Sequence, residues 1–342
     1  MGEWKDCTLG DIITLQRGHD LPKTQMADGK IPVAGSNGII GYHNKSTTKG
    51  IGVTIGRSGN LGNSFLWRDE FWAHNTTLYV KDFKGNNEIF VYYFLKTIDF
   101  KSFNVGSAVP TLNRNHVYPL EVSLPPLPEQ TAIAAILSSL DDKIDLLHRQ
   151  NATLEKMAET LFRKWFVEEA KEEWEEKALS DFVNVKYGKD HKSLADGTIP
   201  VYGSGGLMRY AEKALYEKES VLIPRKGTLN NIMYQNDPFW TVDTMFYTEM
   251  KKPNVAKFVY YFLKDQDLAS MNVGSAVPSM TTEVLNNMPI LTPPDYVFEK
   301  FENAVSPLFK KSKSDQTQIR TLTALRDTLL PKLMSGEVRV KM

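Results

Sequence analysis

The chain has little cysteine, no long apolar run and no excess of charge of either sign. Its one cysteine, Cys7, cannot form an internal disulfide and lacks the clustered Cys/His spacing of a structural zinc site. No stretch approaches the roughly 20 apolar residues that a membrane span requires, and the opening residues lack the apolar core of a signal peptide. We therefore expect a cytoplasmic protein that is held together by packing alone.

The charge balance typical of nucleic-acid binding and the motifs typical of catalysis are also missing from the sequence. The 41 basic and 41 acidic residues cancel, so the strongly basic balance typical of many nucleic-acid-binding proteins is absent. There is no Gly-x4-Gly-Lys-Ser/Thr loop for a nucleotide. Four of the six histidines, taken as candidate ligands or bases, show no spacing that would build a metal or nucleophile site: His43, His74, His116 and His191. We assign no catalytic residue and no metal ligand.

The most informative feature is an internal repeat. FVYYFLK at 90–96 recurs at 258–264, and NVGSAVP at 104–110 recurs at 272–278, both at an offset of 168 residues. Earlier in each repeat, DGKIPVAGSNG starting at residue 28 pairs with DGTIPVYGSGG starting at residue 196. The chain is a tandem duplication, and its 342 residues suffice for two or more domains.

Each repeat has two unlike parts. The first part, residues 1–127 and 173–294, mixes short β-rich runs with Gly, Asn and Pro turn signals and includes one helix at the FVYYFLK string. Because the aromatic residues of that string repeat unchanged, we expect a core helix rather than a base-stacking surface. The second part, residues 128–172 and 295–342, is a long helical pattern. The predicted fold class is α+β or α/β, with two globular domains separated by two long helices.

The apolar residues of the first long helix are spaced alternately by four and three positions, which indicates a coiled-coil seam. The predicted seam is Ile133, Leu137, Leu140, Ile144, Leu147, Asn151, Leu154, Ala158, Leu161 and Trp165. We expect Asn151, its one polar member, to fix the helix register. At about 1.5 Å per residue the helix would span on the order of 60 Å, so it would act as a spacer.

The second long helix carries the same pattern less regularly. Its predicted seam is Phe301, Val305, Leu308, Ile319, Leu322, Leu329 and Leu333. Pro307 should interrupt this helix, and Ser312 and Asp315 occupy positions that should be apolar, so its first half is expected to be kinked or loosely packed. If the two helices pack antiparallel, a pseudo-twofold axis would relate the two repeats, with one globular domain at each end.

Such a molecule suits a split DNA sequence. Two similar domains on a rigid spacer can contact two half-sites about one helical turn, roughly 34 Å, apart on the duplex. Because the two repeats have diverged, the half-sites need not be palindromic. The spacer would then set the number of unrecognised base pairs between them.

At this point the chain resembles the specificity subunit of type I restriction-modification enzymes. Three strings resemble the helical regions of that family: LPPLPEQTAIAAIL at 124–137, AETLFRKWF at 158–166 and LRDTLLPKLMSGEVRV at 325–340. The opening W-x4-LGDI and the GRSG and PRKG turns resemble its target-recognition domains. One departure is visible, because Val297 and Phe298 replace the Glu129-Gln130 pair in the second repeat.

The resemblance implies a non-catalytic prokaryotic subunit whose two recognition domains contact a bipartite site on double-stranded DNA. It implies two N6-adenine methyltransferase subunits as partners and, in the full complex, ATP-dependent restriction subunits. S-adenosylmethionine, ATP and magnesium would bind those partners, and this chain would hold no cofactor. The Val297-Phe298 departure suggests that the second methyltransferase copy docks differently from the first.

Candidate DNA contacts follow from comparing the repeats, since phosphates carry no sequence information and bases do. The shared Arg-x-Gly turns suit phosphate oxygens, although an ordinary β-turn with a solvated charge would look the same. The diverged amide and hydroxyl residues beside them suit base edges, although asparagine also forms turns. The predicted set is Ser36, Asn37, Arg57, Ser58, Asn60, Asn63, Thr111, Asn113 and Arg114 in the first repeat and Ser204, Arg225, Lys226, Thr228, Asn230, Asn231 and Thr281 in the second.

One alternative remains open from the residues alone. A scaffold with two similar domains, each binding protein or carbohydrate, would show the same duplication, and the zero net charge does not favour DNA over such partners. DNA affinity that falls steeply with salt would support phosphate binding, whereas a flat response would exclude it.

Overall fold

The computed structural model describes residues 3–103, 110–271 and 278–340. The chain divides into two compact units: unit 1 comprises residues 1–148 and 316–342, and unit 2 comprises residues 149–315. Each unit therefore contains one globular part together with a portion of both long helices.

Unit 1 begins with a mixed α and β region. Its elements are β1 (Lys5–Thr8), α1 (Leu9–Ile12), β2 (Thr14–Arg17), β3 (Ile31–Gly35), β4 (Gly38–His43), β5 (Gly52–Gly56), β6 (Ser64–Trp67), β7 (Trp72–Ala73), β8 (Thr77–Asp82), α2 (Glu88–Lys96), α3 (Arg114–Val117) and β9 (Glu121–Leu124). Short 3-10 turns cover Lys23–Gln25 and Phe100–Phe103. The long helix α4 follows at Leu127–Arg163 and ends in a π-helical turn at Lys164–Glu168.

Unit 2 repeats this order. Its elements are β10 (Glu175–Ala178), β11 (Val183–Tyr187), β12 (Ile199–Gly203), β13 (Gly206–Ala211), β14 (Ser220–Pro224), β15 (Met233–Gln235), β16 (Trp240–Thr241), β17 (Met245–Met250), α5 (Ala256–Asp265), α6 (Thr282–Asn286) and β18 (Pro289–Thr292). A 3-10 turn at Leu179–Asp181 stands in the place of α1. The second long helix, α7, spans Asp295–Met334.

The sheets of the two units have the same topology. Unit 1 contains the pair β1-β9, a four-stranded sheet in the order β2-β8-β5-β6 and a three-stranded sheet in the order β4-β3-β7. Unit 2 contains the corresponding β10-β18, β11-β17-β14-β15 and β13-β12-β16. The β-rich runs of the sequence, GVTIG, TLYV, SVLIP and MFYTEM, form β5, β8, β14 and β17. The duplication and the mixed fold class predicted from the sequence are therefore confirmed.

The FVYYFLK helix forms the centre of the core in unit 1. Asn87 caps α2 by accepting a hydrogen bond from the Phe90 backbone N–H, which fixes where the helix begins. Phe90 and Tyr93 are buried and belong to one apolar cluster with Val53 of β5. Burying each such side chain stabilises the fold by about 2 kcal/mol. These aromatic rings are core residues and are not available for stacking on bases.

The two long helices run antiparallel within each unit. In unit 1, Asp141 of α4 accepts a hydrogen bond at 2.7 Å from Arg326 of α7, while Ile133, earlier in α4, shares a cluster with Leu333, later in α7. In unit 2, the ring of Phe162 lies against that of Phe301. All ten predicted seam positions of α4 are buried or half-buried, Asn151 among the half-buried ones. Those of α7 are likewise buried or half-buried: Phe301, Val305, Leu308, Ile319, Leu322, Leu329 and Leu333.

The predicted interruption at Pro307 is wrong, because α7 continues through it. Proline removes one helical N–H and crowds the preceding turn, which ordinarily costs about 3 kcal/mol. Here Pro307 lies on the exposed side, where water can solvate the freed carbonyl, while Phe301 and Val305 are fully buried on the opposite side. The packing of these residues outweighs the local preference of one proline. Within the described ranges, no helix is long and apolar enough to cross a membrane.

Candidate nucleic-acid interface

Three segments that are far apart in the sequence meet in unit 1. The turn between β3 and β4 lies against the turn after β5, because Asn60 Nδ2 donates to Asn37 Oδ1 at 2.7 Å. The segment before α3 joins them through the Leu112 N–H, which donates to the Arg57 carbonyl at 2.8 Å. Ser58 and Thr111 form an isolated β-bridge at the same place. The predicted residues from all three segments therefore lie together.

Unit 2 brings together the equivalent segments. Asn231 Nδ2 donates to the Ser204 carbonyl at 2.8 Å, which joins the β12-β13 turn to the turn after β14. The Met280 N–H donates to the Arg225 carbonyl at 2.9 Å, and Lys226 forms a β-bridge with Ser279. The polar contacts differ between the units although the backbone arrangement is the same. A shared backbone arrangement with different polar side chains is expected of two domains that contact DNA in the same way but recognise different bases.

The two Arg-x-Gly turns, residues 57–59 and 225–227, are called the arginine turns below, and they have the same backbone conformation. Gly59 and Gly227 have φ angles of 81° and 89°, a left-handed region that glycine enters without the strain other residues incur. The preceding arginines are tethered alike, since Arg57 Nη1 donates to the Asn75 carbonyl at 3.5 Å and Arg225 Nη1 donates to the Asp243 carbonyl at 3.1 Å. The carbonyl tethers leave other guanidinium N–H groups in each unit to bind an anion.

The sequence comparison missed the neighbour of each arginine. Burial is the main cause that lowers the pKa of Arg57, and the positive charge of the nearby Arg17 lowers it further. Unit 1 therefore has a second cation near its Arg-x-Gly turn. In unit 2 the equivalent of Arg17 is Tyr187, and the Arg225 guanidinium lies 5.4 Å from the centre of its ring. The signal was present in the aligned strings LQRG and VKYG, where both residues precede a repeated glycine.

Several predicted residues also have local structural roles. Asn113 and Thr281 are the N-caps of α3 and α6, and their side chains accept backbone N–H groups of Asn115 and Val284. Arg114 Nη1 donates to the Leu15 carbonyl at 3.0 Å. For these three residues, the repeat pattern has an explanation that does not involve DNA. Their contact with bases stays a prediction.

The remaining predicted residues line the same surfaces. Asn230 bonds Asp267 at 3.2 Å and accepts the Ala269 N–H at 2.9 Å, so its amide is oriented by the segment after α5. Asn63 and Thr228 are exposed, and Ser36 is half-buried beside Gly59. The repeated NVGSAVP strings are identical in both units, so they favour frame or phosphate contacts over base recognition. That prediction falls on residues 104–109 and 272–277, which lie outside the described residues.

The Glu129-Gln130 pair has partners inside unit 1. Glu129 is fully buried and accepts two hydrogen bonds from Arg339, at 2.6 and 2.7 Å. Gln130 accepts the Asn87 N–H at 3.0 Å and donates to Asn86 and to the Pro125 carbonyl. In unit 1 the pair therefore has intramolecular partners, and the expectation that the second methyltransferase copy docks differently stays a prediction. Within the described ranges, no group of three His, Cys, Asp or Glu residues could hold a metal ion.

Comparisons with known proteins agree with this architecture. The family profile of the type I restriction modification DNA specificity domain matches residues 1–156 and again residues 171–323. The specificity subunit of the type I restriction enzyme MjaIX from Methanocaldococcus jannaschii is 28% identical, over 74% of this chain and 69% of that protein. The MjaVIII specificity subunit from the same organism is 22% identical, over 99% of this chain and 94% of that protein.

A solved structure shows the same fold. The crystal structure of the type I restriction-modification S subunit from M. genitalium matches with a TM-score of 0.73 and 22% sequence identity, over 99% of this chain and 96% of that chain. The two profile matches fall on the two repeats and together cover most of the sequence. The chain therefore belongs to the family of type I restriction-modification DNA specificity domains, a domain that it contains twice.

Proposed function

We propose that each unit recognises one half of a bipartite sequence in double-stranded DNA, as the specificity subunit of a type I restriction-modification enzyme. The observation that carries the proposal is the convergence of three segments in both units, with a shared arginine turn and diverged amides. Arginine on a tight turn suits a phosphate oxygen, and amide side chains can pair with base edges. The long helices would then set the distance between the half-sites.

The chemistry would belong to partner subunits. We propose that two adenine methyltransferase subunits dock on the long helices, that restriction subunits join them in the full complex, and that S-adenosylmethionine, ATP and magnesium bind to those partners. An exposed apolar groove on α4 supports docking within unit 2, lined by Ala152, Thr153, Lys156, Met157, Thr160 and Leu161. Met157 is 50% exposed, and contiguous exposed apolar surface commonly marks a protein contact.

The test of DNA specificity is methylation mapping. The chain is co-expressed with its adenine methyltransferase subunit, and N6-methyladenine is mapped across a plasmid by single-molecule sequencing. Methylation at one split motif, absent when this chain is omitted, supports the proposal. A stable complex with an active methyltransferase but no sequence-dependent methylation would contradict it and favour a scaffold that binds other partners.

The docking surface has its own test. Met157→Glu places a charge in the groove and should reduce co-purification of the methyltransferase subunit by roughly ten-fold or more, since an unpaired charge in an apolar contact costs several kcal/mol. Glu172→Lys, a charge change on an exposed residue outside α4, is the control. Unchanged co-purification of both variants would place docking elsewhere.

A further inference from the structure

The β-hairpins beside the candidate interface expose apolar side chains at equivalent positions of both units. Ile39 and Tyr42 of β4 are 52% and 53% exposed, and Leu207 and Tyr210 of β13 are 50% and 41% exposed. Both strands lie at the edge of a three-stranded sheet. An exposed apolar edge strand promotes aggregation, so proteins usually place charges there. Its presence in both units indicates that something covers it in use.

A β-bulge directs these side chains to one face. In unit 1 the register shifts within the hairpin, so Ala34 pairs with Ile39 while Pro32 pairs with Tyr42. Ala34 and Pro32 are two residues apart on β3 and share a face, and paired residues share that face as well. Ile39 and Tyr42, three residues apart, therefore point the same way, which a regular strand would not allow.

Unit 2 has the same bulge at the same position. Tyr202 pairs with Leu207 and Pro200 pairs with Tyr210, with the register shift next to Met208. The extra residue lies over the glycine at the end of the facing strand, since a Cβ on Gly203 would lie 2.6 Å from Met208 Sδ. The twin, Ile40, lies over Gly35 in the same way. The bulge and its glycine are thus built into both units, and such bulges commonly re-aim side chains beside functional sites.

The apolar face is continuous with the candidate interface. Ile39 follows the turn that carries Asn37, whose side chain is bonded to Asn60. Leu207 follows the turn that carries Ser204, whose carbonyl is bonded to Asn231. Each apolar residue is therefore two or three residues along the chain from a residue that is bonded to the segment after β5 or after β14, which also carries the arginine turn. A polyanion bound at the arginine turn would extend across the hairpin.

The chemistry of the DNA major groove indicates which group these apolar residues contact. In the major groove the one apolar group that a base presents is the C5-methyl of thymine. Ile39 and Leu207 differ between the units, whereas Tyr42 and Tyr210 are the same residue and cannot distinguish two half-sites. We propose that Ile39 and Leu207 are specificity-determining residues, each contacting a thymine methyl group in its own half-site. This inference rests on the proposed function and identifies one of the chemical groups recognised.

The test replaces thymine by uracil, which removes the methyl group and leaves the hydrogen-bonding edges intact. Duplexes carrying the mapped motif, with uracil at one thymine at a time, are titrated into the complex of this chain with its methyltransferase subunit. One thymine in each half-site should show about four-fold weaker binding as uracil, the value expected for one buried methyl group. With Ile39→Ala the thymine preference should disappear in one half-site, and with Leu207→Ala in the other.

The controls separate this inference from the proposed function. Ile51→Ala removes an exposed isoleucine that lies before β5, at the opposite end of that strand from Arg57, and should keep both thymine preferences. If the wild-type complex methylates no motif, the proposed function fails. If the motif is clear but no thymine preference depends on Ile39 or Leu207, this inference alone is overturned. It is equally overturned if the Ile39→Ala or Leu207→Ala chain no longer binds the methyltransferase subunit, because the hairpin would then be a protein contact.

Discussion

The two units differ where the four-stranded sheet meets the long helix. In unit 2, Lys257 is almost fully buried, and its Nζ lies 2.9 Å from Glu219 Oε1 and 2.7 Å from Glu302 Oε1. Tyr234 donates its hydroxyl to Glu219, and burial followed by that bond raises the pKa of Tyr234. The equivalent positions of unit 1 are Ile89, Ile51, Ala134 and Leu66, and three of these pack against its apolar core.

The comparison shows that the same fold can have either apolar residues or a buried ion cluster at equivalent positions. An apolar contact is stabilised by removal of surface from water, whereas a buried ion pair must offset the cost of removing charges from water. The ion cluster of unit 2 depends on every partner being present, since a lone buried charge is costly. Unit 2 should therefore tolerate partial substitution far less than unit 1.

The largest expected effect comes from breaking this cluster. Lys257→Met leaves two carboxylates without their cation and should lower the free energy of unfolding by about 3–5 kcal/mol. The combined variant Lys257→Ile, Glu219→Ile, Glu302→Ala and Tyr234→Leu installs the residues of unit 1 and should lie within about 2 kcal/mol of the natural chain or above it. Urea unfolding of both variants measures the difference. Equal destabilisation of the two would show that the ions themselves provide stability that apolar residues cannot replace.

The second difference concerns Glu129, whose counterpart in unit 2 is Val297. Hydrogen bonds from Arg339 hold the pKa of Glu129 below its ordinary value of 4.5. A carboxyl with a lowered folded-state pKa contributes stability above its unfolded value and loses that contribution as the pH falls through the folded value. Glu129→Gln should therefore destabilise the protein by about 2 kcal/mol at neutral pH, and the difference from the natural chain should shrink below about pH 4.

Amide hydrogen exchange would show which part of the chain Glu129→Gln destabilises. Amides of residues 335–340 should exchange faster in Glu129→Gln, because Arg339 lies on this segment and its guanidinium also stacks 5.5 Å from the Trp4 ring. Glu121→Gln, at an exposed carboxylate of β9, is the control and should change neither stability nor exchange. A pH-independent loss of stability in Glu129→Gln would exclude the ion pair as its cause.

Periodicity and repetition predicted the parts of the fold that depend on local pattern. The seam positions from Ile133 to Trp165 needed only the spacing of apolar residues, and the likeness of the two globular parts needed only the recognition of two repeats. Pro307 was misjudged because its local penalty is small beside the packing of Phe301 and Val305. The Glu129–Arg339 pair was out of reach, since no spacing rule joins residues that are 210 positions apart in the chain.

The candidate interface was predictable in part for the same reason. The arginine turns and the adjacent amides were found by comparing two copies, which shows what is shared and what has diverged. Arg17 was missed although the aligned strings LQRG and VKYG contain it, because only the structure places β2 near the arginine turn. Ile39 was missed because a register shift in the hairpin, which the sequence does not show, turns it to the exposed face.

The third difference lies beside the arginine turns, where unit 1 has Arg17 and unit 2 has Tyr187. Each phosphate contact that is removed reduces the slope of log affinity against log salt by about one. Arg17→Tyr should therefore reduce the slope by about one and weaken DNA binding at low salt, whereas Tyr187→Arg should increase the slope by a similar amount. Fluorescence anisotropy of the methyltransferase complex measures both.

The control for this pair is Lys49→Gln, which removes an exposed cation before β5 in unit 1. It should leave the slope unchanged within error. If Lys49→Gln reduces the slope as much as Arg17→Tyr does, DNA contacts are spread over the surface of unit 1 and are not concentrated at the arginine turn.

The smallest expected effect concerns one position of the seam, where α7 has Asp315 and α4 has the buried Leu147. Asp315 is fully buried, and Lys311 bonds one of its oxygens at 2.5 Å. Among the described residues the other oxygen has no hydrogen-bond partner, and a buried carboxylate oxygen without one is costly. Asp315→Leu should therefore stabilise the chain by about 1 kcal/mol, and Lys311→Gln should destabilise it by a similar amount because the carboxylate loses its cation. Thermal unfolding of the two variants gives the sign of each change, and a loss of stability in Asp315→Leu would mean that the carboxylate contributes more to this seam than the apolar residue of the other repeat can.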